Sequence, residues 1–344
     1  MLRERLRLPA TLLSLIVALA AIWLSGCGGD DSGSGDTSAG DGGTKLTLVA
    51  YSTPKEVYEK LIPAFQATDA GKGVGFEQSY GASGEQSRNV EAGLPADYVA
   101  FSLAPDVDRL VKADLVDADW ASSKYDGMVS DSVVVFFVRP GNPKNIRTWD
   151  DLLRDDVEVL TPNVFTSGGA KWNTMAAYGA QLQLGKTPQQ ATDYLTKLYA
   201  NVSVQDKSAR ESLQTFVGSK GDVLLGYENE AILAKAKGES IDYVVPDETL
   251  LIENPAAITT DSKSPEAAQA WLDYVKSPEA QKVFGEAGYR PVDPDVAKTF
   301  DFPTPPKLFT IADLGGWSKV NDEFFDRDNG VVAKIFKNQG TPIE

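Results

Sequence analysis

The 344-residue chain contains no histidine, and its single cysteine is Cys27. These two absences remove Ser-His-Asp and Cys-His catalysis, the usual His/Cys zinc sites and any disulfide within the chain. Positive charge is also scarce: 33 Lys and Arg stand against 49 Asp and Glu, a formal net charge of −16. Such a surface repels a phosphate backbone, which argues against nucleic acid as a partner. The same sign works against an anionic ligand, so an anion site here must be built from local dipoles and backbone N–H groups. A hydrophobic fraction of 42% with 24% charged residues fits a folded protein large enough for two ordinary domains.

Arg3, Arg5 and Arg7 precede a mostly apolar run over 8–24 that is interrupted by Pro9, Thr11 and Ser14. The run is short for a membrane-spanning helix and reads as a secretory signal over 1–26. It ends in Leu24-Ser25-Gly26-Cys27, similar to the bacterial lipobox, in which small residues fit the signal peptidase and the Cys sulfur receives lipid. An ordinary signal or membrane anchor with an incidental Cys is the plain alternative. Every residue from 28 to 44 is Gly, Asp, Ser, Thr or Ala. They cannot bury apolar surface, and read with Cys27 as a tether of roughly 20–25 Å root-mean-square length.

From 45 onward, strand and helix patterns alternate, which argues for an α/β protein with largely parallel sheets. Strands are expected at 45–51, 74–79, 96–103, 133–138, 157–161, 203–205, 222–227 and 243–245. Helices are expected at 54–67, 86–92, 107–113, 148–153, 173–184, 187–200, 267–275, 278–286 and around 319–325. The pattern restarts after Pro140-Gly141-Asn142-Pro143, where a second α/β domain is expected.

Four strand-to-helix turns share one chemistry. In the first, Ser52-Thr53-Pro54-Lys55-Glu56, Thr53 and Glu56 have capping-box spacing with Pro54 at the first helical position. In the second, around Ser83, Gln86 repeats that spacing. The third is Thr166-Ser167-Gly168-Gly169-Ala170-Lys171-Trp172 and the fourth Lys207-Ser208-Ala209-Arg210-Glu211. The first N–H groups of a helix have no intrahelical partner and lie at the positive end of the dipole, so each turn can face an anion. Each can equally be a helix cap and nothing more. Sulfate, a fully ionised acceptor, suits a ring of neutral donors, whereas phosphate often carries a proton and gains from an acceptor such as Asp.

The segments QSYGASGEQ (78–86), FFVRPGNPKNIRTWDDL (136–152), TPNVFTSGGAKWN (161–173), GDVLLGYENEA (221–231) and GYRPVDPDVAK (288–298) make nearly the whole chain from Leu46 to about Phe325 resemble the periplasmic sulfate-binding proteins. These are the receptors of ABC sulfate and thiosulfate importers. The resemblance implies a type II periplasmic-binding-protein fold, with one lobe of 45–133 plus 250–344 and another of 134–249, joined by crossing strands. It implies sulfate held by the N–H groups of Ser52, Ser83, Gly168, Gly169 and Ala209, the Ser167 hydroxyl and the Tyr227 side chain, with Arg210 in support. It implies no metal and no cofactor, a monomer, and an ABC permease as partner.

Three departures from the family pattern stand out. Tyr227 replaces the usual Trp of sulfate-specific members, which leaves thiosulfate, molybdate or tungstate open as ligands. Ser52 replaces a frequent Asp, and Lys171 a frequent Arg, keeping charge but losing the planar fork. Trp172 and Tyr80 are expected to pack, and Arg290-Pro291 to fix a turn. Arg210 is open between a clamp on carbonyls or lobes and an ordinary surface pair. An enzymatic reading, with Ser167 as nucleophile and Lys171 as base one helical turn on, rests on spacing alone. A purely adhesive surface role is a further alternative.

Overall fold

The computed structural model describes residues 43–341 and 343; the signal segment, Cys27 and all but the end of the tether lie outside them. The first half of the chain folds as β1 (Lys45–Tyr51), α1 (Lys55–Gln66), β2 (Gly75–Gly81), α2 (Ser83–Glu91), β3 (Tyr98–Ala100) and α3 (Ala104–Lys112). The chain then crosses on β4 (Met128–Val138) and builds β5 (Val159–Leu160), α4 (Gly168–Gln183), α5 (Pro188–Ala200), β6 (Val202–Val204), α6 (Ala209–Val217), β7 (Val223–Tyr227), α7 (Glu228–Ala236) and β8 (Asp242–Val244). It returns on β9 (Glu248–Ile258) to α8 (Pro265–Val275), α9 (Pro278–Glu286) and α10 (Pro294–Ala297), and ends with β10 (Lys307–Phe309), α11 (Gly316–Val320) and α12 (Val331–Gln339).

The strands form one path, β2-β1-β3-β9-β4-β7-β5-β6, with β10 on β9 and β8 on β4. Within each half the βα strands run parallel, as expected, but β4 and β9 lie antiparallel to each other and to their other path neighbours. Each serves both halves. Residues 128–133 of β4 pair with β9 and 134–138 with β7, while β9 passes from β4 at Leu251–Pro255 to β3 at Ala256–Ile258. The period-2 alternation of a strand puts Leu46, Leu48 and Ala50 on one face of the first sheet and Val49 on the other. In β4, Val134, Phe136 and Val138 face one core and Val133, Val135 and Phe137 another. Strands buried on both faces read as continuous apolar runs, and this is why VVVFFV announces itself in sequence.

Local chemistry differs from expectation at several points. The Thr53/Glu56 and Ser83/Gln86 boxes do not form: α1 and α2 start after Pro54 and Ala82 without a side-chain cap. Glu56 is drawn instead to Arg210 and Lys237, and Gln86 to Ser79. A working box forms at α5, where Gln190 N donates to Thr187 Oγ1 at 3.3 Å and Thr187 N to Gln190 Oε1 at 2.8 Å. Residues Trp149–Leu153 form a 3₁₀ turn. Helices α7 and α12 were not among the expected helical spans, and of α6 only the starting turn at 207–211 was expected. Helix α12 packs Phe336 against Phe165 and Tyr199, in a core cluster made mostly of residues from the second half. Arg290 does not fix a turn: it forms an isolated bridge with Asp131 and a buried ion pair with Glu228 at 2.8 Å.

Asp131 sits on β4 opposite Glu253 of β9, and its Oδ1 is buried without a partner among the described residues. Burial, then Glu253, pushes its carboxyl up to about 8, against the pull of Arg290. A carboxyl whose folded pKa exceeds its unfolded value of about 3.9 holds its proton more tightly in the folded state, so stability falls as pH rises from about 4 to about 8. Asp131→Asn is expected to stabilise the protein by about 1–3 kcal/mol at pH 7.5, the range for an unpaired buried polar group, with the gain vanishing near pH 4. Thermal unfolding at both pH values checks this; an equal shift at both refutes it.

Candidate functional site

The C-terminal ends of the parallel strands of both halves converge, the position at which open α/β sheets bind ligands. The pocket there is lined by Ser52, Ser83, Ser167, Gly168, Gly169, Ala209 and Tyr227, all seven of the expected ligand residues, and leaves about 230 Å³ of empty space counted out to its mouth. Tyr51, Thr53, Gly81, Ala82, Ser102 and Ser208 complete the wall. No charged side chain lines it.

Ser83, Gly168 and Ala209 are the first residues of α2, α4 and α6, and Ser52 follows the last residue of β1. The amide N–H groups of Ser52, Ser83, Gly168, Gly169 and Ala209 have no acceptor among the described residues. The two glycines leave room for a ligand at the backbone: a Cβ on Gly169 would already stand 3.3 Å from Ala209 Cβ and 3.5 Å from Tyr227 Cε1. Ser208 caps α6 by accepting from Glu211 N at 3.2 Å and leaves Ala209 N unpartnered. Ser167 starts α4 without using its side chain as a cap. The Ser83 hydroxyl is spent elsewhere, accepting from Ser102 N at 2.9 Å and donating to Asp106 Oδ2 at 2.6 Å, so this residue offers the pocket its N–H alone.

Tyr227 is 1% exposed and its OH lies 2.6 Å from Ser102 Oγ. Burial, then the nearby Tyr51, raises its phenol well above the ordinary range. The hydroxyl therefore keeps its proton and remains a donor at any working pH.

Charges stand just outside the wall. Arg210 of α6 reaches Glu56 of α1 through two bonds of 2.7 and 3.0 Å, Glu230 of α7 at 2.8 Å and the Thr53 carbonyl at 3.1 Å. These bonds join α6 both to α1 and to α7. Burial alone would raise the Glu56 carboxyl, but hydrogen bonds from Arg210 and Lys237 outweigh it and hold it at about 2. Lys171 of α4 donates to Asn321 at 2.8 Å and lies 5.0 Å over the Phe325 ring. Burial lowers its pKa to about 8, opposed by Asp106 and reinforced by Arg109, Arg88 and Arg327. No hydrogen bond joins Lys171 to Ser167 among the described residues, so the nucleophile and base arrangement is not made. Trp172 is fully buried and donates to the Ser102 carbonyl at 2.8 Å, whereas Tyr80 is half-buried and bonds Gln78.

Residues 46–290 match the family model described as bacterial extracellular solute-binding protein. The chain belongs to that family. This solute-binding protein is 40% identical over 337 residues to a sulfate-binding protein of Synechococcus elongatus, covering 93% of this chain and 94% of that one. It is 33% identical over 305 residues to a thiosulfate-binding protein of Pseudomonas aeruginosa, covering 85% and 92%. Among solved structures it resembles the sulfate-binding protein SubI from Mycobacterium tuberculosis H37Rv, with a TM-score of 0.80 and 48% identity over 82% of this chain and 100% of that chain. The fold is accordingly the type II periplasmic-binding-protein fold, and the protein is an extracytoplasmic binding protein of the ABC-import class rather than an enzyme.

Of the wall residues that sequence reasoning did not single out as ligands, Ser102 had a readable signal. It lies between strand β3 and the Pro105-led helix α3, the same strand, hydroxyl, helix order as the four expected turns. Tyr51 had none, because a tyrosine closing a buried strand reads as core.

Proposed function

We propose that this solute-binding protein captures sulfate between its two halves and delivers it to an ABC permease, tethered to the outer face of the membrane by lipid on Cys27 and working as a monomer. The observation that carries the reading is the donor set: five unpaired N–H groups and neutral hydroxyls around one pocket, with no carboxylate in its wall. A proton-free dianion is satisfied by donors alone, while a ligand that brings its own proton finds no strong acceptor. The sulfate-binding relatives support the same assignment. We assign 45–133 and 250 to about 306 to one lobe, and 134–249 with the segment from β10 to α12 to the other.

Tyr227 and the thiosulfate-binding relative favour a second reading, in which thiosulfate or another tetrahedral oxyanion such as molybdate or tungstate occupies the same donors. Calorimetric titration of the ligand-stripped 45–344 fragment separates the two. Tight one-to-one sulfate binding with phosphate silent is expected. Thiosulfate or molybdate outbinding sulfate by more than about tenfold, 1.4 kcal/mol, would select the second reading. No binding of any of these anions would reject both.

The pH dependence follows from Lys171, two residues beyond Gly169. Its folded pKa lies below the ordinary lysine range, so it is a cation below about 8 and neutral above. A dianion is attracted to the cation. Affinity is therefore expected to stay flat from pH 5 to 7 and to weaken several-fold between about pH 8 and 9.5, and Lys171→Met to lose that step; dissociation constants across this range check it.

A further inference from the structure

Ser102 is 2% exposed and held by its backbone at three points. Its N–H donates to Ser83 Oγ at 2.9 Å, and its carbonyl accepts from Trp172 Nε1 at 2.8 Å and Asn254 Nδ2 at 2.9 Å. Both carbonyl lone pairs are thereby used, and the residue is left only its hydroxyl to turn. That hydroxyl lies 2.6 Å from the Tyr227 OH. It also borders the donor-bearing backbone of α4, since a Cβ on Gly168 would come within 2.6 Å of Ser102 Oγ. Ser102 belongs to the first half, while Tyr227 and Gly168 belong to the second.

Counting protons decides what the pair can do. Two neutral hydroxyls carry two hydrogens; one lies between the oxygens, and the other has no acceptor among the described residues, so it is available to the pocket that both residues line. A phenol is a stronger acid than an alcohol, so the better donor belongs against the better acceptor, a dianion. The order serine O–H to phenol oxygen, phenol O–H to anion places each hydrogen that way, and each bond polarises the next. Without a partner, a phenol hydrogen divides between two orientations in the ring plane and must be ordered at every binding event.

We propose that Ser102 is a positioning residue for anion capture: its hydroxyl donates to the Tyr227 oxygen and thereby turns the phenol O–H onto the bound anion. This rests on the reading of the pocket as an oxyanion site. Because the two hydroxyls come from different halves, the phenol donor is set only when those halves meet. Ser102 thus links closure to recognition without touching the anion itself.

The test is a double-mutant cycle read by sulfate calorimetry on the full chain, with wild type, Ser102→Ala, Tyr227→Phe and the double variant. Ser102→Ala is expected to weaken binding about tenfold, Tyr227→Phe tenfold or more, and the double variant no further than Tyr227→Phe alone. A packing role would instead cost the same in both backgrounds, and that additive result overturns the proposal, as does an unweakened Ser102→Ala. Ser102→Cys, similar in size with a weak S–H donor, is expected to fall between Ser and Ala, and it carries the test if the alanine variant does not fold. If wild type prefers thiosulfate or molybdate, the cycle is run with that anion under the same criterion. Wild type binding none of them overturns both the oxyanion reading and this inference, whereas tight binding with an additive cycle overturns this inference alone.

Discussion

Gly168→Ala is expected to weaken anion binding about 30- to 100-fold while leaving the ligand-free protein folded. The added Cβ would stand 2.6 Å from Ser102 Oγ, 2.7 Å from Leu103 Cδ2 and 2.8 Å from Ser102 Cβ, closer than non-bonded atoms approach. All three belong to the first half, whereas Gly168 begins α4 in the second. Gly168 has no left-handed backbone requirement, so alanine is tolerated locally and the clash arises only where the halves meet. Overpacking of this kind costs about 1–3 kcal/mol, the upper part of which is the stated loss of affinity. Gly169→Ala is the internal comparison: its nearest neighbours would be 3.3 to 3.5 Å away, and a few tenths of an ångström of relaxation accommodates it. Calorimetry on the two variants, with circular dichroism for the fold, checks the contrast. Equal losses would mean that ligand space at the backbone, not contact between halves, sets the requirement for glycine.

Arg210→Ala is expected to destabilise the protein by about 3–5 kcal/mol, the cost of removing one partner from a buried ion pair. Glu230 is 3% exposed and its charge is answered by Arg210 alone among its bonded partners, while Glu56 keeps Lys237. Burial already pushes the Glu230 carboxyl above the ordinary range, and without the guanidinium it protonates or drags in water. Adding Glu230→Gln to the Arg210→Ala variant should therefore recover most of the loss, because the amide carries no charge to strand. Denaturant unfolding of wild type, the single variant and the double variant measures this. A single-variant loss below about 1 kcal/mol would put Arg210 among solvated surface pairs.

What was legible in the sequence depended on period and on burial. The strand 45–51 and the helix 278–286 match their observed bounds, since KLTLVAY alternates with β-branched residues and Pro278 opens its helix. The seven ligand candidates were readable only with the resemblance beside them, because Ser and Gly before a helix usually mark a cap. Helix α4 begins at Gly168, earlier than expected, since two glycines weigh against helix and only the site explains them there. The Thr53/Glu56 capping box failed because the glutamate had a stronger partner: Glu56 sits within reach of a guanidinium donated from 154 residues away, and no local rule sees that. The resemblance implied crossing strands, but the residues themselves did not show that β4 and β9 pair antiparallel, because which neighbour a buried strand takes is decided by topology and not by its own residues.

That crossing bears on how the chain is made. Tyr98 of β3 finds its neighbour in Ile258 of β9, so the first sheet lacks a strand until nearly the whole second half has been synthesised. A nascent chain folds its early part only when the partners of that part have emerged, and late, distant pairing slows folding. A first half that waits for its last strand stays open for most of the chain's synthesis, and an open chain is one that can still be threaded through a narrow passage.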